Sequence, residues 1–396
     1  MRDIVELLAP AGDFKCLVTA ISAGCDAVYF GLQDFNMRAR AKNFKISDLV
    51  EIKKICQKNK VKMYLALNTI IYDDELKKAE RIIKKAKNYV DAIICSDISI
   101  MLLCKKYKVL FHVSTQCSVS NSETAMFYKK LGAKRIVLAR ELNLKQIKKI
   151  SKIVPVEIFV HGAMCVAVSG RCFTSQFLFN QSANRGKCLQ PCRRPYEVKD
   201  NQGNLLRITN NHILSAKDLC TIPFIEKLKK AGIVSFKIEG RNREPEYIDT
   251  VIRAYRKAID KKLTKEETKE LMAELNKTYN KGYSSGFLIK PPTSDDFSGV
   301  EHSSGTQSKR FVGEITHYYS KLGVALITIN TGSLKIGDNL LISGKTTPLI
   351  RDKIESMEID NKKVEKAEKG QEVGIKLPLC RTGNEVYKIW KKKGKK

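Results

Sequence analysis

Along residues 1–260, short apolar runs alternate with stretches in which apolar side chains recur every three or four positions. The runs begin near Val5, Ala27, Met63, Ala92, Leu110, Arg135, Val156 and Ser235. Short, bounded runs of this kind suit buried strands. The steps between them, as in Leu49, Ile52, Cys56 or Tyr247, Val251, Ala254, Ala258, put apolar side chains on one face of a helix. Strands alternating with helices imply a parallel sheet covered by helices. Eight such units predict an α/β fold, a closed TIM-like (β/α)8 barrel over residues 1–285. An open doubly wound sheet is the alternative, although no GxGxxG follows the first strand.

The pattern changes beyond Gly282. Residues 286–308 are rich in Gly, Ser and Pro and read as a linker. From Arg310 come alternating runs, FVGEIT, GVALITI, DNLLIS and EVGIKL, with glycines between them as turns. They predict a small antiparallel β-barrel over residues 309–390, serving either as an RNA-holding accessory or as a structural cap. The end of the chain, WKKKGKK from Trp390, reads as a flexible basic arm that contacts phosphates, with 391–396 as the tail proper.

On a barrel, the residues just after each strand converge on one mouth. Here they are Asp13, Arg38 with Arg40, Asn68, Asp97, Ser114 with Gln116, Arg140 with Glu141, His161, and Glu239 with Arg241. The seventh connection, residues 162–220, far exceeds the usual two to six residues and should fold over that mouth. It carries Cys165, Cys172, Cys188 and Cys192 in a C-x6-C-x15-C-x3-C spacing. Thiolates gathered this closely hold iron–sulfur clusters or zinc, and unliganded buried cysteines are the plain alternative. Structural zinc favours two tight pairs, and only Cys188 with Cys192 is tight. Arg171, Arg185, Lys187, Arg193 and Arg194 would offset the charge of an anionic cluster. Pro195 stands where a radical-type cluster motif would need a further cysteine.

Composition sets the surroundings. The 396 residues carry a formal net charge of +30, which points to a nucleic acid partner. Lysines on solvated helix faces, as around Lys53, Lys77 and Lys148, account for part of the excess. Twelve cysteines without a small-domain framework fit a reducing compartment. The start of the chain reads as a strand rather than a secretory signal, and no apolar span is long enough for a membrane helix. The expected setting is soluble and cytoplasmic.

Several segments then resemble one family. ELLAPAGDF, DAVYFGL, RARAKNF, HVSTQCSVSN, RIVLARE, EIFVHGAMCVAVSGRCFTS, NRGKCLQPCRRPY, SAKDLC and SFKIEGR are similar to the collagenase-like peptidases, peptidase class U, family 32. Thr174 departs from the aliphatic residue more usual in the family signature. The resemblance implies a 4Fe-4S cluster on Cys165, Cys172, Cys188 and Cys192, with Cys220 of SAKDLC as a replacement for Cys192 in some members. It also implies hydroxylation of an RNA base without molecular oxygen. One branch makes 5-hydroxyuridine at the tRNA wobble position with help from prephenate, and another modifies a ribosomal cytidine. Related members act in oxygen-independent ubiquinone hydroxylation.

On this reading Arg38, Arg40, Asn68, Gln116, Arg140 and Arg171 are candidates to bind substrate, with the arginines clamping a dicarboxylate such as prephenate. Arg241 joins that clamp and is a candidate catalytic residue. His161 is a candidate proton donor, or else a structural histidine beneath the cysteine loop. Glu239 is a candidate base, or else half of a salt bridge with Arg241 or Lys237. A peptidase is the competing enzyme class, yet neither H-E-x-x-H nor GxSxG occurs. A non-catalytic iron–sulfur protein that binds RNA or senses redox state is the third reading.

Overall fold

The structure, a computed structural model, describes residues 5–197, 199–205, 212, 214–300 and 302–392. Strands β1 (Glu6–Pro10), β2 (Ala27–Gly31), β3 (Lys62–Leu67), β4 (Ala92–Cys95), β5 (Phe111–Val113), β6 (Arg135–Val137) and β7 (Val156–Gly162) pair in parallel, each with the next. The short strand β8 (Asp218–Cys220) runs antiparallel to the end of β7. Strand β9 (Ser235–Ile238) pairs in parallel with both β7 and β1, which closes an eight-stranded barrel. All eight barrel strands start within one residue of the positions the pattern predicts.

Local chemistry places the helices between them. Asp13 caps the helix Phe14–Ser22 by accepting the Cys16 N–H at 2.9 Å, and Asp97 caps Ile98–Lys106 through the Ser99 N–H. Two of the polar strand-end residues therefore start helices. Asn143 with Gln146 and Thr264 with Glu267 form capping boxes.

Side-chain alternation decides what fills the barrel. Leu8, Ala27, Tyr29, Tyr64, Ala92 and Ile94 form one interior cluster. Below it lies a buried ionic network: Glu6 meets Arg135 at 2.5 Å, Arg135 meets Glu157 at 3.1 Å, and Lys237 meets Glu157 at 2.9 Å. Tyr64 and Ser235 donate their hydroxyls to Glu6. Outward-facing residues of the same strands pack against the helices.

The C-terminal residues form an antiparallel sheet that curls around its own core of Val312, Ile327, Leu340, Ile342, Ile375 and Val386. Its longest strand, Gln307–Tyr319, begins inside the expected linker. The rest of that stretch is tied to the barrel unit: Ser298 donates its N–H to Ser215 O, Ser304 its N–H to Asn280 O, and Phe297 bridges to Ala216. The basic arm also needs correction. Strand Glu385–Lys391 includes Trp390 and pairs Lys391 with Gln307; residues 393–396 lie outside the described residues. The sheet leans on barrel helices through Lys15–Glu385 at 2.5 Å, Lys309–Glu246 at 2.7 Å and Lys345–Glu51 at 3.2 Å. No helix among the described residues is long and apolar enough to cross a membrane.

Candidate functional site

Strand β9 and its extension alternate inward through Ser235, Lys237, Glu239 and Arg241, so the last two reach the barrel mouth. Arg38 grips Glu239 there, with Nη2 at 3.0 Å and Nε at 3.2 Å from Oε1, while Arg140 Nη2 lies 3.7 Å from Oε2. Burial alone would raise the Glu239 carboxyl, but the fields of Arg38, Arg140 and Arg241 outweigh it and hold the group below the usual carboxylate range. An ionised carboxylate committed to guanidinium groups is a poor base. The alternative partner Lys237 pairs with Glu157 instead.

Arg241 is 5% exposed, and its Nη1 has no hydrogen-bond partner among the described residues. Burial, followed by the field of Arg38, pushes its pKa down to about 10. The guanidinium fits because Gly31 has no side chain: a Cβ there would run into Nη1 and stand 2.6 Å from Asn36 Cγ. Asn36 is itself fully buried and accepts the Arg38 N–H at 2.9 Å, fixing the turn that presents Arg38. Sequence reading missed Asn36, whose only signal was its place two residues before a strand-end arginine. Arg140 lies 3.8 Å over the Phe159 ring and donates to Ala163 O at 2.7 Å.

A second polar group adjoins the first. Asn68 donates to Gln116 Oε1 at 3.0 Å and accepts the Met37 N–H at 3.2 Å; Ser114 also donates to Gln116. Arg171 reaches down from the cysteine segment to Gln116 O. Arg38, Asn68, Gln116, Arg140, Arg171, Glu239 and Arg241 are thus brought to one mouth. Arg40 stands exposed outside the ion-pair set.

His161 does not join them. A register shift between Phe159 and His161 turns its ring outward, against Tyr255, Tyr247 and Tyr283. Its Nδ1 lies 3.4 Å from Tyr255 Oη, and burial, then Arg243, pushes its pKa down to about 3. The expected proton donor is therefore a neutral histidine of the wall.

The cysteine segment is fastened over the mouth. Arg193 donates to Met164 O at 2.6 Å and Ala216 O at 2.5 Å, Arg185 clasps Glu75 on both oxygens, and Ser118 donates to Ser169 at 3.0 Å. Burial raises the Cys188 and Cys192 thiols, the latter to about 11, and the fields of Cys165 and Cys172 raise both further. Cys165 and Cys172 thus lie within electrostatic reach of both Cys188 and Cys192. Cys165 also acts on Arg38 and Arg140, which puts it beside the guanidinium cluster. Cys172 Sγ accepts the Thr174 N–H at 3.4 Å and Cys188 Sγ the Gln190 N–H at 3.3 Å. Among the described residues, no three His, Cys, Asp or Glu side chains converge as ligands of a single ion. Cys220 is buried in β8 beside Met272 and Tyr255; burial pushes its thiol up to about 11 against the hydrogen bonds from Ile222 and Tyr255, and none of the four loop thiols contributes.

Fold and site together define a parallel barrel protein whose mouth gathers Arg38, Arg140 and Arg241 about Glu239, beside a cysteine-bearing loop. Comparison with known sequences gives the family. The profile of Peptidase family U32 matches residues 12–297, and the chain belongs to that family. A protein named collagenase from Porphyromonas gingivalis is 40% identical over 98% of both chains. A 23S ribosomal RNA 5-hydroxycytidine synthase from Escherichia coli is 41% identical over 65% of this chain and 39% of its own. The tRNA hydroxylation protein P of Escherichia coli is 31% identical over 85% of both.

Proposed function

We propose that this chain hydroxylates a base of RNA without molecular oxygen, the tRNA wobble uridine (giving 5-hydroxyuridine) or a ribosomal cytidine, in the cytoplasm. The observation that carries the reading is Arg241, its Nη1 unpartnered among the described residues, with Arg38 and Arg140 in a mouth that Cys165 adjoins. Converting a ring C–H to C–OH adds one oxygen atom and is a two-electron oxidation. Either water supplies the oxygen and an acceptor takes two electrons and two protons, or a co-substrate delivers the oxygen atom and is itself reduced by two electrons. A dicarboxylate such as prephenate suits the cationic mouth, since a guanidinium can grip a carboxylate through two parallel hydrogen bonds. Asn68, Gln116 and Arg171 then line the approach of the base.

Cys165, Cys172, Cys188 and Cys192 are the residues that would hold a 4Fe-4S cluster. The N–H bonds to Cys172 and Cys188 and the cations around the thiols would suit an anionic cluster. When bound, such a cluster supplies electron transfer or polarises an oxygen donor. Cys192 is preferred to Cys220 as the fourth ligand, because Cys220 is occupied with Tyr255 and Met272.

The test is to delete the gene and compare nucleosides of purified tRNA and ribosomal RNA by mass spectrometry, restoring either the wild type or Cys165→Ala with Cys188→Ala. One hydroxylated nucleoside should disappear and return only with the wild type; an unchanged nucleoside profile would sink the reading. A peptidase is the second reading, favoured by the collagenase-named relative that matches 98% of the chain. His161, the histidine nearest in sequence to the exposed thiols, faces Tyr255 instead of a thiol nucleophile. Gelatin cleavage by the purified protein, lost on Cys165→Ala or Cys188→Ala, would favour that reading.

A further inference from the structure

Among the described residues, the cysteine segment exposes apolar surface with no partner. Phe173 is 63% exposed and Phe177 84%, their ring centroids are 6.1 Å apart, and Val168 and Leu178 are exposed with them. Isolated exposed apolar residues are ordinary, but a cluster next to a functional mouth marks a binding surface. The rings sit on a fastened element. Leu189 donates its N–H to the buried Ser175 hydroxyl at 3.0 Å, and Cys172 donates its N–H to Asn184 at 3.1 Å. Arg171, two residues before Phe173, is the side chain that reaches Gln116 at the mouth.

We propose that Phe173 and Phe177 form the stacking platform on which an unpaired nucleobase of the RNA lies as the neighbouring base enters the mouth. The inference rests on the RNA reading above and names the surface that grips the strand. Charge selects this occupant over a protein. No Asp or Glu occurs between Glu157 and Glu197, while Arg171, Lys187 and Arg194 of that interval are exposed. Arg194 stacks 4.6 Å from the Phe179 ring, on another face of the same short helix. Aromatic rings interleaved with cations suit single-stranded RNA, whose bases stack while its phosphates meet the charges. A second copy of this chain would bring the same positive surface and be repelled.

The experiment uses Phe177→Trp in a Trp390→Phe background, which leaves one indole in the protein. The probes are a synthetic RNA hairpin with an all-uridine loop, the same hairpin with an abasic loop, and polyphosphate. Indole emission should be quenched by the uridine loop and much less by the abasic loop of equal charge. Phe173→Ala and Phe177→Ala should each weaken hairpin binding roughly 10-fold, with an unchanged salt dependence. Wild-type and alanine variants binding both hairpins equally, with unquenched indole, would overturn the platform and leave the RNA reading standing. If the wild type prefers neither hairpin to polyphosphate, the RNA reading fails as well. Should light scattering show that the alanine variants dissociate a dimer, the patch is a self-association face and the platform is wrong.

Discussion

Arg241 is the residue at which the structure tolerates an unfavourable arrangement. A guanidinium sealed from water with Nη1 unpaired costs stability until a ligand supplies the missing acceptor. Replacing it by Met, which keeps length and removes charge, should raise the thermal midpoint by about 1–2 °C, the equivalent of about 1 kcal/mol for a chain of this size. Prephenate should raise the midpoint of the wild type and leave that of Arg241→Met unmoved. A variant that melts lower and still responds to prephenate would remove Arg241 from the clamp. His112 offers a pH-dependent counterpart. Its ring lies inside the barrel against Tyr64 with Nδ1 unpartnered, and burial, then Arg135, lowers its pKa to about 3. The unfolded chain takes up this proton below about pH 6.5 and the folded chain does not, so stability is full above that pH and falls as pH drops toward 3. In His112→Phe, the decline of the urea midpoint between about pH 6.5 and 5 should be shallower than in the wild type; parallel curves would show that His112 is not responsible.

At the scale of elements, the parity of side chains was legible and its interruption was not. A period of two along β9 places Lys237, Glu239 and Arg241 on one inner line, and the structure keeps them there. The same period along β7 would put His161 on the line of Glu157 and Phe159. The irregularity between Phe159 and His161 breaks it and sends the ring to Tyr255. Nothing in VEIFVHG announces that irregularity, because it depends on pairing with β9, far along the chain. The C-terminal sheet shows a similar limit. Apolar runs such as GVALITI were readable, whereas Ile350–Lys353 and Lys366–Glu368 are short, polar strands held by their neighbours. The linker composition of 286–308 concealed packing for the same reason: Ser298 and Ser304 are fixed by backbone bonds to distant residues. Asp13 and Asp97 stand where strand-end chemistry was expected, but a carboxylate after a strand serves equally well as a helix cap.

For the whole molecule, the question is how much of the +30 charge contacts a partner. Many cations are already engaged: Arg135 and Lys237 inside the barrel, Arg185 with Glu75, and Lys15 and Lys309 between barrel helices and C-terminal sheet. These interact with carboxylates whether or not RNA is present and release no counterions on binding. Exposed cations beside the mouth, including Lys187 and Arg194, are available for phosphates. For single strands, log affinity falls against log salt with a slope of about −0.7 per phosphate contacted. Four such contacts would weaken binding about 20-fold between about 0.1 and 0.3 M salt. Lys187→Gln and Arg194→Gln should each make the slope shallower by about 0.7, while Phe177→Ala lowers affinity and leaves the slope alone. Titrating the uridine-loop hairpin at several salt concentrations separates these contributions. A wild-type slope near zero would mean that the charge serves the helix faces and the internal ion pairs, and that RNA is not the partner this surface attracts.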